Sequence, residues 1–226
     1  MTITPAAGST VLFEGDSLTG FRVPPCLDTW AWQRLSNAHI GYPERVGDWL
    51  FCNRPDLRLT VRNGAVGGSI MADVMTRYAA VTGALKPGLV VMTIGGNDMA
   101  RGVPLASFRE QVGEYCSRLA AAGGRVIYLG NPAACHGAAA NLAERRVKAQ
   151  PYYQAAAELV TAAGGLAVDL GPILLHRTEA LRAQYDGHTI YHDGGHFNAV
   201  GNEILAGIVL RAMGLMVTPG DPAWPG

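Results

Sequence analysis

The residues of this chain best suited to chemistry stand in three short motifs. They are Ser17 in Gly15-Asp16-Ser17-Leu18, Asn97 in Gly95-Gly96-Asn97-Asp98, and the pair Asp193 and His196 in Asp193-Gly194-Gly195-His196. A serine hydroxyl is a weak nucleophile until a base takes its proton. Asp193, on a glycine-containing loop, can accept a hydrogen bond from one imidazole nitrogen of His196. That fixes the tautomer and leaves the other nitrogen for the serine proton. The amide of Asn97 can donate to the oxygen that gains charge when a carbonyl is attacked. A fourth stretch, Asn63-Gly64-Ala65-Val66-Gly67-Gly68-Ser69, places three glycines in five positions, so its backbone can approach a ligand closely and turn an N–H on the same oxygen. Gly67 and Gly68 are both candidates for that donor. Each motif alone is also an ordinary turn; all four together are the parts of acyl transfer through a serine.

Such parts work only if the chain brings them to one place. Val11, Leu12 and Phe13 form an apolar run typical of a buried parallel strand, and Ser17 follows at its carboxyl end. Strand-like runs recur at Thr10–Glu14, Leu57–Arg62, Leu89–Ile94, Arg125–Leu129 and Leu166–Asp169. Helical patterns lie between most of them. This alternation predicts an α/β fold, a parallel sheet covered by helices on both faces, with ligands at the carboxyl ends of the strands. A helix is expected from about Pro43 to Cys52, with Val46, Trp49 and Leu50 on one face. A second spans Val103–Gly124, with Ser107 and Glu110 fitting a capping box. Pro151 is expected to open a third, as proline suits a first turn. Asn198 should cap a last helix that stops at Gly214. Trp30 and Trp32, on the loop leaving the serine, either wall a pocket or cover the core.

Composition narrows the class. The chain has 226 residues, 49% hydrophobic and 16% charged, with a formal net charge of zero. That suits one well-buried domain, read as 1–217, followed by a Pro/Gly-rich tail, 218–226. The charge balance argues against a nucleic-acid partner. No run approaches the roughly 18 apolar residues of a membrane span, and no basic, apolar leader opens the sequence, so a cytoplasmic protein is expected. Cys26, Cys52, Cys116 and Cys135 include no C-x-x-C pair and read as free thiols.

Taken in order, Gly15-Asp16-Ser17-Leu18, the turn at Gly68, Gly95-Gly96-Asn97-Asp98 and Asp193-x-x-His196 resemble the four sequence blocks of the GDSL, or SGNH, hydrolases. The resemblance runs from about Val11 to Gly214. It implies a three-layer α/β/α, flavodoxin-like fold with a five-stranded parallel sheet. It further implies a serine esterase with Ser17 as nucleophile, His196 as base, Asp193 orienting it, and Ser17, Gly68 and Asn97 as the oxyanion hole. Asp16 would be structural. Register with Asn63 favours Gly68 over Gly67. Where the family often has a β-branched residue before the histidine and proline after it, this chain has Gly195 and Phe197. Tyr42-Pro43-Glu44-Arg45-Val46 and Arg54-Pro55-Asp56-Leu57 are similar to intracellular carbohydrate acetyl esterases of the superfamily. The implied partner is therefore a small-molecule ester, such as an acetylated sugar that Trp30 and Trp32 could stack upon, with no cofactor and no metal; a homo-oligomer is left open.

Two rivals differ in class. His188, His192 and His196 recur at intervals of four beside Asp193, the kind of set that binds zinc on a helix face, although Gly187, Gly194 and Gly195 would break that helix. A non-catalytic carbohydrate-binding relative would keep the fold without an activated serine.

Overall fold

The computed structural model describes residues 1–20, 41–185 and 188–216. Trp30, Trp32 and the tail 218–226 lie outside the described residues.

Five strands, β1 (Thr10–Gly15), β2 (Thr60–Asn63), β3 (Leu89–Thr93), β4 (Arg125–Gly130) and β5 (Leu166–Asp169), form one sheet in the order β2-β1-β3-β4-β5. All four pairings are parallel. Strand side chains alternate between two cores, because successive residues point to opposite faces. Val11, Phe13, Leu89, Val91, Ile127 and Leu129 enter one core; Leu12, Val90, Met92, Val126 and Tyr128 enter the other. Burial on both sides explains why these strands read as unbroken apolar runs.

The first core is closed by α1 (Tyr42–Asn53), α6 (Leu170–Gln184) and α7 (Ala199–Ala212), through residues such as Val46, Leu174 and Leu205. The second is closed by α2 (Met71–Arg77), α4 (Leu105–Ala121) and α5 (Leu142–Ala162), through Val74, Phe108 and Val160. A short helix, α3 (Gly96–Ala100), follows β3 directly. The three-layer α/β/α arrangement agrees with the sequence reading. None of the described helices is long and apolar enough to cross a membrane.

Three local expectations need correction. The second strand begins at Thr60, not Leu57, because Pro55–Leu57 form a single tight helical turn ending at Arg58 with φ 48°. Helix α4 is capped from Pro104, whose extended backbone (ψ 133°) makes it the last non-helical residue, so Ser107 and Glu110 lie inside the first turns instead of forming a capping box. Pro151 sits within α5, which starts at Leu142. A proline interrupts one backbone hydrogen bond, but Pro151 is on the exposed side, where water can serve the freed carbonyl. The nine residues of α5 ahead of Pro151 reach the sheet edge where Ser17 lies.

Strand order explains the convergence of the motifs. β1 lies between β2 and β3, so the loops after these three strands emerge side by side. The chain also switches direction of sheet-building there, which opens a crevice beyond the strand ends.

Candidate active site

Ser17 is presented by a tightly fixed turn. Gly15 adopts φ 126°, and a Cβ there would fall 2.0 Å from the Thr93 carbonyl oxygen, so only glycine fits between β1 and β3. Asp16, buried behind the serine, accepts hydrogen bonds from the Leu18 N–H at 3.0 Å and the Thr93 hydroxyl at 3.2 Å. Thr93 Oγ1 continues to Thr19 Oγ1 at 2.6 Å and then to the Tyr42 hydroxyl at 2.8 Å. This chain of buried polar groups holds the nucleophile turn against β3 and α1. Burial pushes the Asp16 carboxyl above its ordinary range despite these hydrogen bonds. Its side chain is engaged in the turn, in keeping with a structural role.

His196 reaches the same point from the other end of the chain. Its Nε2 lies 3.0 Å from Ser17 Oγ, and its Nδ1 lies 2.6 Å from Asp193 Oδ2. The other oxygen of Asp193 accepts from the backbone N–H groups of His196 at 2.7 Å and Gly195 at 2.9 Å. Burial opposes ionisation of Asp193. The backbone N–H and ring of His196, the Gly195 N–H and the charge of His196 together outweigh it, and hold the carboxyl well below the usual range. Asp193 is thus an anion fixed by three donors, with the ring nitrogen as one of them.

The departures at Gly195 and Phe197 leave this loop rigid. Phe197 stacks on Tyr191 with ring centroids 5.8 Å apart, and the two residues form an antiparallel bridge. The Tyr191 hydroxyl donates to the Ala133 carbonyl at 2.7 Å. Asn198 caps α7 as expected, accepting from the Val200 and Gly201 N–H groups at 3.0 Å each, and its amide donates back to the Thr189 carbonyl at 2.7 Å. An aromatic stack and a helix cap do the work that a proline does elsewhere.

The remaining two blocks arrive beside Ser17 from β2 and β3. Asn97 lines the cavity that also contains Ser17 and His196, and its Nδ2 donates to the Ser69 carbonyl at 3.1 Å. Gly68 takes φ 79°, a conformation that Gly67 does not need, and its carbonyl accepts from Arg101 at 2.7 Å. Neither the Ser17 nor the Gly68 backbone N–H has a hydrogen-bond partner among the described residues. Two free N–H groups and one half-used amide are therefore available around the serine.

Beneath this loop Arg77 binds in three directions. It donates to Glu14 Oε1 from Nη2 at 2.5 Å and from Nε at 3.0 Å, to the Gly15 carbonyl at 3.1 Å and to Ser69 Oγ at 3.0 Å. The end of β1 and the Gly68–Ser69 turn are thereby tied to one buried guanidinium. Sequence reasoning missed Arg77, which carries no motif. It also missed Arg145 and Arg146, which line the cavity from α5 together with Tyr153, because a helix that starts at Pro151 leaves both arginines outside it. The stripe Leu142, Arg146, Ala149, Tyr153, at steps of three and four, is the signal that extends the helix back past Arg145 and places Arg146 on its inner face.

The histidine triplet does not assemble. His192 Nδ1 lies 3.8 Å from Asp193 Oδ2 and, with His196, forms a group whose ligand atoms lie within 4.8 Å of one another; His188 is not part of it. The carboxylate oxygen in that group is the one already bound to His196 Nδ1.

Fold and site define a class: an α/β chain carrying a hydrogen-bonded serine–histidine–aspartate relay at the carboxyl edge of a parallel sheet. The chain belongs to the GDSL-like lipase/acylhydrolase family, a family of carboxylic ester hydrolases, whose model matches residues 13–204. It is 29% identical over 126 residues to the esterase TesA of Pseudomonas aeruginosa, a match that spans 55% of each protein. Among solved structures, LAE5, an alpha/beta hydrolase enzyme from the metagenome of Lake Arreo, is similar at TM-score 0.75 and 24% identity, over 94% of this chain and 98% of that one. A tryptophan-to-isoleucine variant of Axe2, an acetyl xylan esterase from Geobacillus stearothermophilus, is similar at TM-score 0.77 and 22% identity, over 97% of this chain and all of that one. At these identities the structural likeness speaks for the fold.

Proposed function

We propose that the protein is a serine esterase that removes short acyl groups, acetyl above all, from a small carbohydrate or comparable alcohol. The observation that carries the reading is the unbroken relay from Ser17 Oγ through His196 to Asp193, with links of 3.0 and 2.6 Å. In the proposed reaction Ser17 Oγ attacks the ester carbonyl while His196 Nε2 takes its proton, and Asp193 stabilises the imidazolium. The carbonyl oxygen, now negative, is held by the N–H groups of Ser17 and Gly68 and by the Asn97 amide. Collapse expels the alcohol, which takes its proton from His196, and leaves the acyl group on Ser17. Water, deprotonated by His196, then releases the acid and restores the serine.

Support for the roles also comes from Axe2, whose catalytic mutants replace a serine, an aspartate or a histidine. In that protein the aspartate and histidine are three residues apart, as Asp193 and His196 are. Support for a short acyl group is the size of the cavity, about 270 Å³, at the small end of ligand sites. Cys52, Cys116 and Cys135 are free thiols, which suits a reducing, cytoplasmic setting.

A panel of p-nitrophenyl esters beside acetylated xylo-oligosaccharides tests this reading. Acetate should turn over faster than octanoate, and acetylated sugars should be deacetylated. Faster hydrolysis of long-chain esters would overturn the short-acyl assignment, and inert sugar acetates would overturn the carbohydrate assignment.

A further inference from the structure

The cavity at Ser17 carries an unbalanced charge. Apart from the Tyr153 phenol, its ionisable lining groups are Asp16, His196, Arg145 and Arg146. Asp16 faces into its own turn, and His196 is engaged by Ser17 and Asp193. Two arginines remain, adjacent on the first turns of α5. Arg146 donates from Nη1 to the Tyr153 hydroxyl at 2.8 Å, which holds its guanidinium in place. Arg145 is exposed at the cavity wall. Neither forms an ion pair among the described residues, whereas their neighbour Glu144 is taken by Lys148 at 2.6 Å.

A lone arginine beside a buried acid has a structural explanation, and Arg146 has part of one, since its charge acts on Asp16. Arg145 has none. Among the described residues its charge serves neither the buried acid nor a salt bridge, yet it stands at the wall of the cavity that holds the nucleophile. A cleft lined by one sign of charge raises the local concentration of the opposite sign. A guanidinium fork also matches the planar geometry of a carboxylate better than an ammonium would.

We propose that Arg145 and Arg146 form an anion subsite, and that the preferred ester carries a carboxylate beyond the scissile bond. This rests on the esterase reading above and narrows its substrate from a sugar ester to an acidic one, such as an acetylated uronic acid. Of the remaining lining, Leu18, Met99, Leu142 and Ala149 are apolar, while Ser17, Asn97 and Tyr153 offer uncharged polar groups. They leave the arginines as the feature that distinguishes an anionic from a neutral substrate.

The test compares esters that differ by one carboxylate group, with the arginine variants as the control for its size and electronic effect. Phenyl acetate and 4-acetoxybenzoate differ by a carboxylate on the alcohol half; p-nitrophenyl butyrate and mono-p-nitrophenyl glutarate differ by one on the acyl half. In one of the two pairs the anionic member should have the higher kcat/KM, and the pair that responds identifies which half carries the charge. In Arg145→Gln the anionic-to-neutral ratio should fall by about tenfold, the worth of one charge-assisted hydrogen bond. Arg145→Lys should restore part of it, and added salt should lower the wild-type ratio. An anionic-to-neutral ratio no greater than one in both pairs, or one unchanged in Arg145→Gln, would overturn the subsite. Aryl acetates test the subsite even if sugar acetates prove inert, so the two readings fail separately.

Discussion

The Ser69 carbonyl accepts a hydrogen bond from the side-chain amide of Asn97 at 3.1 Å. This bond locks the loop after β2 to the helix after β3 at the point where both meet Ser17. An asparagine amide has two N–H donors, and Asn97 uses one of them on Ser69. The second has no acceptor among the described residues, on an amide group that cannot rotate without breaking the first bond.

If that second donor serves the transition state, Asn97→Ala should lower kcat by about a hundredfold or more with little change in KM. If Asn97 only joins the two loops, the variant should melt earlier while its folded fraction turns over normally. Measuring kcat, KM and Tm on one preparation separates the two, and a stable variant with near-normal kcat would remove Asn97 from the oxyanion hole.

Arg77 and Glu14 form a buried pair, with side chains 14% and 0% exposed. Glu14 Oε2 has no hydrogen-bond partner among the described residues, so the arginine is what makes a charged Glu14 tolerable. Burial raises the Glu14 carboxyl above its ordinary range even so, with the Arg77 charge opposing. Arg77→Met should destabilise the fold by about 3–5 kcal/mol. The double variant Arg77→Met with Glu14→Gln should regain part of that loss, but keep a reduced kcat, because Ser69 still lacks its donor. A double variant no more stable than the single one in urea unfolding would contradict the pairing.

Asp98 predicts a pH effect. It is buried, accepts from the Met71 N–H at 2.8 Å through one oxygen, and has no hydrogen-bond partner on the other among the described residues. Burial pushes its carboxyl up to about 6; the Met71 N–H opposes this, while the charge of Asp16 adds to it. The folded state therefore holds this proton more tightly than the unfolded chain does. Raising the pH from about 4 to about 7 removes the proton and costs folded stability. Asp98→Asn cannot lose a proton. Its Tm relative to wild type should rise over this interval by about 4 °C or more. A difference in Tm that stays flat with pH would show that Asp98 ionises as freely in the folded state as in the unfolded one.

Much of this architecture was legible in the sequence. Val11-Leu12-Phe13 and Leu89–Thr93 read as strands because burial on both faces makes them uniformly apolar, and their carboxyl ends located Ser17 and Asn97. Asp193 and His196 were readable because two intervening glycines suffice for a side chain to bend back on its neighbour. What stayed hidden depended on packing between distant segments. Pro151 looked like a helix start, since propensity is local, whereas α5 continues through it because Ala149 and Tyr153 are both buried on the same face. Arg77 binds Glu14 across 63 positions of sequence, and no local pattern announces such a bond. The role of Phe197 in fixing the base was equally invisible, because it needs Tyr191 stacked beside it.

The three histidines should separate cleanly. His196→Ala should cut esterase kcat/KM by at least about a thousandfold. His188→Ala should have little effect, and His192→Ala an intermediate one through its neighbour Asp193. EDTA should leave the wild-type rate unchanged. Equal losses in His192→Ala and His196→Ala, with inhibition by chelator, would point to a metal centre at His192, Asp193 and His196.

If His196 makes Ser17 nucleophilic, an electrophile that traps activated serines should label it. The protein is treated with a fluorophosphonate ester, and the adduct is located by peptide mass spectrometry. One adduct is expected, on the peptide containing Ser17, absent in Ser17→Ala and formed far more slowly in His196→Ala. An active preparation that hydrolyses p-nitrophenyl acetate yet carries no adduct on Ser17, or carries it at the same rate without His196, would contradict it.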